Sequence, residues 1–272
     1  MSLLLHISDT HFGTEQPPVV QALKDLVQER RPDAVILSGD VTQRATATQF
    51  AAARRLLDEL GRQPRLVLPG NHDIPLYNLA LRFLQPYRRY THAFGTELEP
   101  VLELEDCLVI GVNTTRPQRH TDGEVSSLQV DAVARRLASA RSPGQLRIVV
   151  THQPAAVIRA GDQHDRLIGA DAALKAWAEA GADLVLGGHI HLPYVVEVSR
   201  QCGATGASPL WCVQAGTALS RRVRWGTANS LNLIHWHAAD PGQPRGCKVE
   251  RHDYDEHAGA FIVADQHQLA LG

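Results

Sequence analysis

Carboxylate, amide and imidazole side chains recur shortly after short apolar runs of this sequence. Five such runs are each followed by at least one side chain that can bind a metal ion, and the resulting set comprises Asp9, His11, Asp40, Asn71, His152, His189 and His191. Mixed nitrogen and oxygen ligands without a thiolate favour Mn, Fe or Zn over a pure Mg or Ca site. Seven ligands exceed what one tetrahedral ion needs, so the sequence predicts two divalent or transition metal ions.

The spacing of these residues indicates how they would converge. Two pairs of these residues are each separated by one intervening residue: Asp9 with His11, and His189 with His191. In an extended segment such residues point the same way, so each pair is expected to project into one pocket. Glycines at 39, 70 and 188 precede the ligands, where they would permit tight turns and a close approach of the backbone.

Two metal ions in one pocket need a shared anionic ligand. Asp40 directly follows an apolar run, and its carboxylate is the natural candidate for that bridge. A pair of ions about 3.5–4 Å apart activates a water between them and holds the oxygens of a phosphoester. The ligand set therefore points to hydrolysis of phosphate esters.

The elements that must position these residues alternate between strands and helices over the first two-thirds of the chain. Continuous apolar runs predict buried strands at Leu3–Ser8, Ala34–Ser38, Arg65–Leu68, Leu146–Val150 and Asp183–Leu186. Helical spacing separates them, and a β pair is expected at Val101–Leu104 and Leu108–Val112. Ligands placed after strands agree with the rule that sites of open α/β sheets lie at the carboxyl ends of strands.

After His191 the pattern changes to short strands separated by glycine, proline and alanine turns. No linker divides the chain. We therefore expect a single domain over residues 1–272, of the α/β class, with a β-rich C-terminal third covering about residues 192–272.

The motifs together resemble those of the metallophosphoesterase, or calcineurin-like phosphoesterase, family. The blocks that carry this resemblance are D-x-H at Asp9–His11, G-D at Gly39–Asp40, G-N-H-D at Gly70–Asp73, a lone His152, and G-H-x-H at Gly188–His191. Their contexts GDVTQ and PGNHD look most like those of the bacterial class III cyclic-nucleotide phosphodiesterases. The resemblance implies a four-layer α/β/β/α sandwich, with the β-rich last third forming its second sheet.

The resemblance also implies roles for the individual residues. One metal would be held by Asp9, His11, Asp40 and His191, and the other by Asp40, Asn71, His152 and His189. His72 would be the catalytic histidine, which stabilises the transition state or protonates the leaving oxygen. Close relatives often have His-His-Pro where this chain has His152-Gln153-Pro154, and what Gln153 changes is left open.

The implied activity is hydrolysis of phosphodiester bonds by a metal-bridging hydroxide, with 3′,5′-cyclic nucleotides as one candidate substrate. The alternatives with the same site are a nuclease, a nucleotide-lipid pyrophosphatase and a broad-specificity phosphatase. A non-catalytic scaffold on the same fold ranks low, because such a scaffold should have lost ligands or the catalytic histidine, and here all are present.

Several polar residues outside the ligand set have competing interpretations. Arg44, four residues after Asp40, is a candidate substrate contact, and Asp73 is expected to orient His72 or its loop. A further basic cluster could contact a substrate phosphate, although a solvated strand end or an oligomer contact is the favoured interpretation: Arg221, Arg222 and Arg224. His6 is expected to be a hydrogen-bonded core histidine, and Arg88-Arg89-Tyr90 a surface run.

Composition limits the partners. The chain has 272 residues, 44% of them hydrophobic, with a formal net charge of -2 and a pI of about 6.7, which makes a nucleic-acid partner unlikely on charge. No apolar run is long enough to span a membrane, and the four cysteines show no C-x-x-C spacing. We expect a cytoplasmic protein with free thiols, with a Cys202–Cys212 bridge as the disfavoured alternative. The expected partner is a small phosphodiester, and homo-oligomerisation is left open.

Overall fold

The computed structural model describes residues 2–140, 144–204, 208–237 and 245–271. Its helices are α1 Pro17–Arg30, α2 Ala47–Glu59, α3 Leu79–Leu84, α4 Arg88–Phe94, α5 Ser127–Ala138 and α6 Ala170–Glu179. Two short 3₁₀ segments lie at Asn71–Asp73 and Ala160–Asp165.

Two six-stranded sheets contain all the named strands of the described residues. The first has the order β12-β11-β10-β1-β2-β3 and the second the order β4-β5-β6-β7-β9-β8. The strands are β1 Ser2–Ile7, β2 Ala34–Leu37, β3 Arg65–Val67, β4 Val101–Glu103, β5 Cys107–Gly111, β6 Leu146–Val150, β7 Leu184–Gly187, β8 Tyr194–Glu197, β9 Trp211–Gln214, β10 Ser230–His237, β11 Gly246–Asp255 and β12 Ala260–Ala270. Strands β1, β2 and β3 run parallel to one another, as do β5, β6, β7 and β9.

Three apolar clusters separate four layers. Leu4 and Ile36 of the first sheet pack against Ile148 and Leu186 of the second in the central cluster. The outer face of the first sheet is covered by α1 and α2, and that of the second by α5 and α6. Strands β2 and β7 are buried at every position, as continuous apolar runs predict for strands covered on both faces. The four-layer α/β/β/α arrangement is thus confirmed.

The C-terminal third does not form the second sheet, contrary to expectation. Strands β10–β12 extend the first sheet, where β10 pairs antiparallel with β1 from Trp236 opposite Ser2 to Asn232 opposite His6. Side chains of β10 alternate between the two cores: Ile234 and Trp236 face the centre, while Leu233 faces the helices. This alternation suits a place inside the first sheet, and only β8 and β9 of this region join the second.

Some elements carry weak sequence signals and were not expected. Strand β12 is largely exposed, and its sequence lacks the regular alternation of apolar and polar residues that marks a half-buried strand. Helix α4 includes Tyr90, which is buried, so the expectation of a surface run at Arg88–Tyr90 was wrong at that position. The Tyr90 hydroxyl donates to the Val67 carbonyl at 2.7 Å, and its ring packs edge-on against Phe50.

The remaining expectations about the chain concern cysteines and membranes. All four cysteines are free, so the Cys202–Cys212 alternative was wrong. No helix among the described residues has both the length and the apolar character that a membrane span requires.

His6 is a hydrogen-bonded core histidine, as expected. It is fully buried, and its ring nitrogens lie 3.0 Å from Ser38 Oγ and 3.4 Å from Asn232 Nδ2. Burial lowers the pKa of His6 to about 3, against a weaker upward effect of Asp9. The folded chain therefore holds His6 neutral at a pH where the unfolded chain protonates it.

This difference predicts an acid-dependent loss of stability that depends on His6. Because the unfolded chain takes up a proton below pH 6.5 and the folded chain does not, the free energy of unfolding should fall by about 2 kcal/mol between pH 7 and pH 5. Replacing His6 with Gln should remove that part of the fall in metal-free protein measured by urea unfolding. The exposed His237→Gln serves as the control, and equal pH dependence in both variants would contradict the assignment.

Candidate metal centre

The predicted ligands all lie just beyond the carboxyl ends of parallel strands, six of them in loops and Asn71 at the start of the first 3₁₀ segment. β1 leads into Asp9 and His11, β2 into Asp40, and β3 into Asn71. From the second sheet, β6 leads into His152, and β7 into His189 and His191. The two sheets therefore bring both halves of the ligand set to one edge of the sandwich, as the strand-end rule predicts.

Three groups of potential ligand atoms cluster at this edge within 4.8 Å: Asp9, His11 and His191; His11, Asp40 and His72; and Asp40, His152 and His189. Asn71 completes the last group, because its Oδ1 lies 3.2 Å from His152 Nε2. Asp40 belongs to two of the groups and lies between their imidazoles. Asp40 therefore lies within reach of ligand atoms from both of the sets that the family resemblance implies, and the division of the seven residues between two ions stays a prediction.

The backbone at the ligands is not extended, although extended geometry was the expected reason for their convergence. Five of the predicted ligands have positive φ angles, between 41° and 73°: Asp9, His11, Asp40, His189 and His191. Non-glycine residues rarely adopt this left-handed region, and such strain collects at functional sites. The paired ligands therefore reach the pocket through left-handed turns, and His189 and His191 face different ligand groups.

The preceding glycines have the role expected of them. A Cβ atom at Gly39 would lie 2.4 Å from His152 Nδ1, and one at Gly70 would lie 2.1 Å from the Asp40 backbone nitrogen. At Gly188 it would lie 1.9 Å from Ser8 Oγ and 2.4 Å from Asp9 Oδ2. Any side chain at these positions would displace a ligand.

Hydrogen bonds around the ligands fix their orientation. His152 Nδ1 lies 2.9 Å from the Ser38 carbonyl, and His191 Nδ1 bonds to the Arg222 carbonyl. A carbonyl only accepts, so each Nδ1 is the donor in this bond and Nε2 is the ring atom directed to the pocket. Asp9 Oδ2 accepts from the backbone of His189 at 2.9 Å.

Charge interactions keep both carboxylates ionised. Burial alone would raise the pKa of Asp9 and Asp40, but the neighbouring imidazoles, chiefly His191 for Asp9 and His152 for Asp40, hold both values well below the usual range. Burial lowers the pKa of His11 to about 3. At His152 burial is outweighed by the Asp40 charge, and the pKa rises to about 9.

The residues present fit a pair of divalent cations. His11 Nε2 and His191 Nε2 lie only 3.1 Å apart, and His191 Nε2 lies 3.2 Å from Asp9 Oδ1. Two imidazole nitrogens that face each other beside a carboxylate form a converging donor set for a cation. Nitrogen and carboxylate donors without a thiolate match Mn, Fe or Zn.

His72 lies beside this centre, and Asp73 supports its loop. His72 Nδ1 is 3.0 Å from the Gln43 carbonyl, and its ring packs edge-on against that of His11. Asp73 accepts hydrogen bonds from the backbone nitrogens of Val41, Thr42 and Gly70. Of its two expected roles, Asp73 therefore orients the loop. Burial, and then the charge of Asp40, raises its pKa to about 7.

The arginines of the basic cluster have three different environments. Arg222 Nη1 lies 3.1 Å from His72 Nε2, whereas Arg224 forms an ion pair with Asp162 at 2.7 Å and Arg221 is exposed. Arg222 is thus a site residue that the sequence pattern did not single out from its neighbours.

Arg44 is exposed and lies over the Tyr77 ring. Its role as a substrate contact stays a prediction.

Gln153 is a buried structural residue. Its Oε1 accepts from Thr114 Oγ1 at 2.5 Å, and its Nε2 donates to the Thr121 carbonyl at 3.0 Å. A Cβ at Gly123 would meet the same amide at 2.3 Å. Gln153, which directly follows His152 in the chain, therefore holds the segment from Thr114 to Gly123 in place through these contacts.

Comparison with known proteins decides the family. The profile of the calcineurin-like phosphoesterases matches residues 3–193 of the chain. The chain belongs to the calcineurin-like phosphoesterase family. The matched segment contains all seven predicted ligands and His72, and ends before the segment that carries Arg222.

Curated relatives of this chain include three proteins. It is 39% identical over 84 residues to the glycerophosphodiester phosphodiesterase GpdQ of Enterobacter lignolyticus, over 26% of the chain and 29% of the relative. It is 27% identical to a probable cyclic nucleotide phosphodiesterase of Synechococcus, over 54% of the chain and 52% of the relative. It is 25% identical to one component of the SbcCD nuclease of Bacillus subtilis, over 76% of the chain and 61% of the relative. The chain thus spans less than two-thirds of each of these relatives.

Solved structures support the fold. A dimetal phosphatase from Danio rerio has a TM-score of 0.64 at 11% identity, covering 100% of this chain and 99% of that one. The purple acid phosphatase PPD1 from yellow lupin has a TM-score of 0.67 at 12% identity, covering 99% of this chain and 53% of that one. The chain therefore shares its fold with these two phosphatases.

The division of the ligands predicts a metal stoichiometry that depends on Asp40. Wild-type protein equilibrated with Mn²⁺ should retain about two ions per chain by elemental analysis. Asp9→Ala should retain about one, whereas Asp40→Ala should lose most of both, because its carboxylate serves both groups. Melting curves serve as the folding control, and equal metal loss in the two variants would contradict the bridging role.

Proposed function

We propose that this protein is a di-metal phosphodiesterase, with a small phosphodiester as its substrate. The observation that carries the proposal is that potential ligand atoms form overlapping groups at one edge of the sandwich, two of which contain Asp40 and one of these also His72. Bound divalent ions would supply Lewis acidity and an activated water at this position. The catalytic role of His72 and the two ligand sets are parts of the proposal.

The residues of the chain have separate tasks in this reaction. The seven predicted ligands would hold the metal pair, and Asp40 would contribute its carboxylate to both ligand sets. The Gln43 carbonyl can only accept, so Nδ1 of His72 carries a proton and Nε2 is the atom that exchanges one with the leaving oxygen. Asp73 keeps the His72 loop against Val41 and Thr42, which holds the ring in place.

The names of the relatives favour a diester over a monoester. Two of the three relatives reported are phosphodiesterases by name, and the third is part of a nuclease. The nuclease alternative is supported by the longest of the three alignments, whereas a net charge of -2 speaks against a long polyanionic substrate. We place 3′,5′-cyclic nucleotides first among the candidate substrates. A nucleotide-lipid pyrophosphatase and a broad-specificity phosphatase remain alternatives.

Two further expectations stay predictions. A cytoplasmic location rests on the pattern of cysteines in the sequence alone. A non-catalytic scaffold ranks below an enzyme because the complete ligand set and His72 converge at one edge, which a scaffold does not need.

Replacement of His72 tests its catalytic role. We expect His72→Ala to retain most of the Mn²⁺ and to lose roughly 10²–10⁴-fold in kcat, the usual contribution of a general acid or base. The measurement is steady-state hydrolysis of bis-(p-nitrophenyl) phosphate with the metal content determined in parallel. A variant with near wild-type turnover would remove His72 from the mechanism.

A substrate panel tests the reaction class. At matched Mn²⁺ we expect kcat/KM to be higher for bis-(p-nitrophenyl) phosphate than for p-nitrophenyl phosphate, with 3′,5′-cyclic AMP also hydrolysed. A diester offers two free oxygens to the metal pair and a leaving oxygen in line with the attacking water, which is the arrangement that a two-metal site stabilises in the transition state. If the monoester is the better substrate, phosphatase is the correct class. If only cyclic AMP is untouched, the diester chemistry stands and the substrate choice fails.

A further inference from the structure

The segment after β9 places an arginine against the metal centre from outside the matched family region. Arg222 Nη1 lies 3.1 Å from His72 Nε2 and 3.0 Å from Gln43 Oε1. The family profile ends at residue 193, so the family match assigns Arg222 no role. Its guanidinium reaches the residue that lies directly beside ligands His11 and Asp40.

Arg222 has no carboxylate partner within the part of the chain that the structure describes. Within residues 2–140, 144–204, 208–237 and 245–271, no carboxylate forms an ion pair with Arg222, although Arg224 two residues away pairs with Asp162. The hydrogen bonds of its guanidinium to the described residues all come from Nη1. Nε and Nη2 are therefore left to donate to another group.

The backbone of Arg222 is tied to the same centre. Its carbonyl accepts a hydrogen bond from Nδ1 of His191 and from Thr217 Oγ1 at 3.0 Å. The position of Arg222 is thus linked to that of a metal ligand. A cation fixed beside a predicted pair of metal ions is electrostatically unfavourable unless an anion lies between them.

We propose that the Arg222 guanidinium binds a non-bridging oxygen of the substrate phosphate, while Gln43 holds its Nη1. The inference rests on the proposed phosphoesterase function. A planar guanidinium offers two parallel N–H donors that match the geometry of phosphate, which an ammonium group does not. The anion links Arg222 to the metal pair, and the contact orients the ester with its leaving oxygen toward His72.

The test uses the Mn²⁺-loaded protein and has a readout other than turnover. Inorganic phosphate is titrated by calorimetry into wild type, Arg222→Met, Arg222→Lys and the control Arg221→Met, which removes the same charge from an exposed neighbour. Metal content and melting temperature are determined for each. Hydrolysis of bis-(p-nitrophenyl) phosphate is measured on the same samples.

Arg222→Met should weaken phosphate binding and lower kcat/KM by roughly 10- to 100-fold, which corresponds to loss of a charge-assisted hydrogen bond. Arg222→Lys should lie between it and wild type, and Arg221→Met should stay within about twofold of wild type at a site outside the contact. Mn²⁺ content should be unchanged in all four.

Phosphate affinity of Arg222→Met within about twofold of that of Arg221→Met would overturn the proposal. So would loss of Mn²⁺ from both Arg222 variants, because the side chain would then support the metal centre instead of the substrate. If wild type hydrolyses no diester but phosphate binding still depends on Arg222, the proposed function fails and the contact stands. If the diester is hydrolysed equally by all variants, the function stands and the Arg222 contact fails.

Discussion

A buried carboxylate surrounded by imidazoles is the interaction on which the rest of the structure depends. Asp40 is only 2% exposed, and an unpaired charge at such a position is strongly unfavourable. Here Oδ1 accepts from the backbone of His72 at 2.8 Å and lies 3.3 Å from His152 Nε2. His72 follows β3 of the first sheet, and His152 follows β6 of the second. Both contacts of the Asp40 carboxylate therefore persist only while the two sheets keep their relative position.

The strained backbone at the ligands is held by the same packing. Five ligand residues adopt positive φ, which costs free energy at each. The strands that lead into them are buried on both faces, as β2 and β7 show, and their loops are cross-linked by backbone hydrogen bonds such as Asp9 N to Gly39 O at 3.1 Å. Rigid strands and short, bonded loops therefore keep the ligands in conformations that an isolated loop would leave.

The C-terminal third contributes to both the sandwich and the site. Strand β10 lies between β1 and β11, so it fixes the strand that leads into Asp9 and His11. The segment that precedes it bonds to His191 through the Arg222 carbonyl and is anchored by Arg224 to Asp162. The matched family region thus contains the predicted ligands, and the last third contacts one of them, His191, through the Arg222 carbonyl.

The sequence by itself determined the candidate ligand residues, the strands that precede them and the class of fold. Those features depend on local patterns: apolar runs predict buried strands, and polar residues after them lie at the sheet edge whatever the detailed packing. Its motifs also carried the resemblance that implied four layers, and His6 was correctly expected in the core.

The tertiary structure decided what local patterns cannot encode. Strands β10–β12 joined the first sheet because their two faces match two different cores, and the ligands converged through left-handed turns that only the surrounding packing can stabilise. Arg221, Arg222 and Arg224 are equivalent as residue types, and they differ only in what the folded chain brings to each: solvent, His72 or the carboxylate of Asp162.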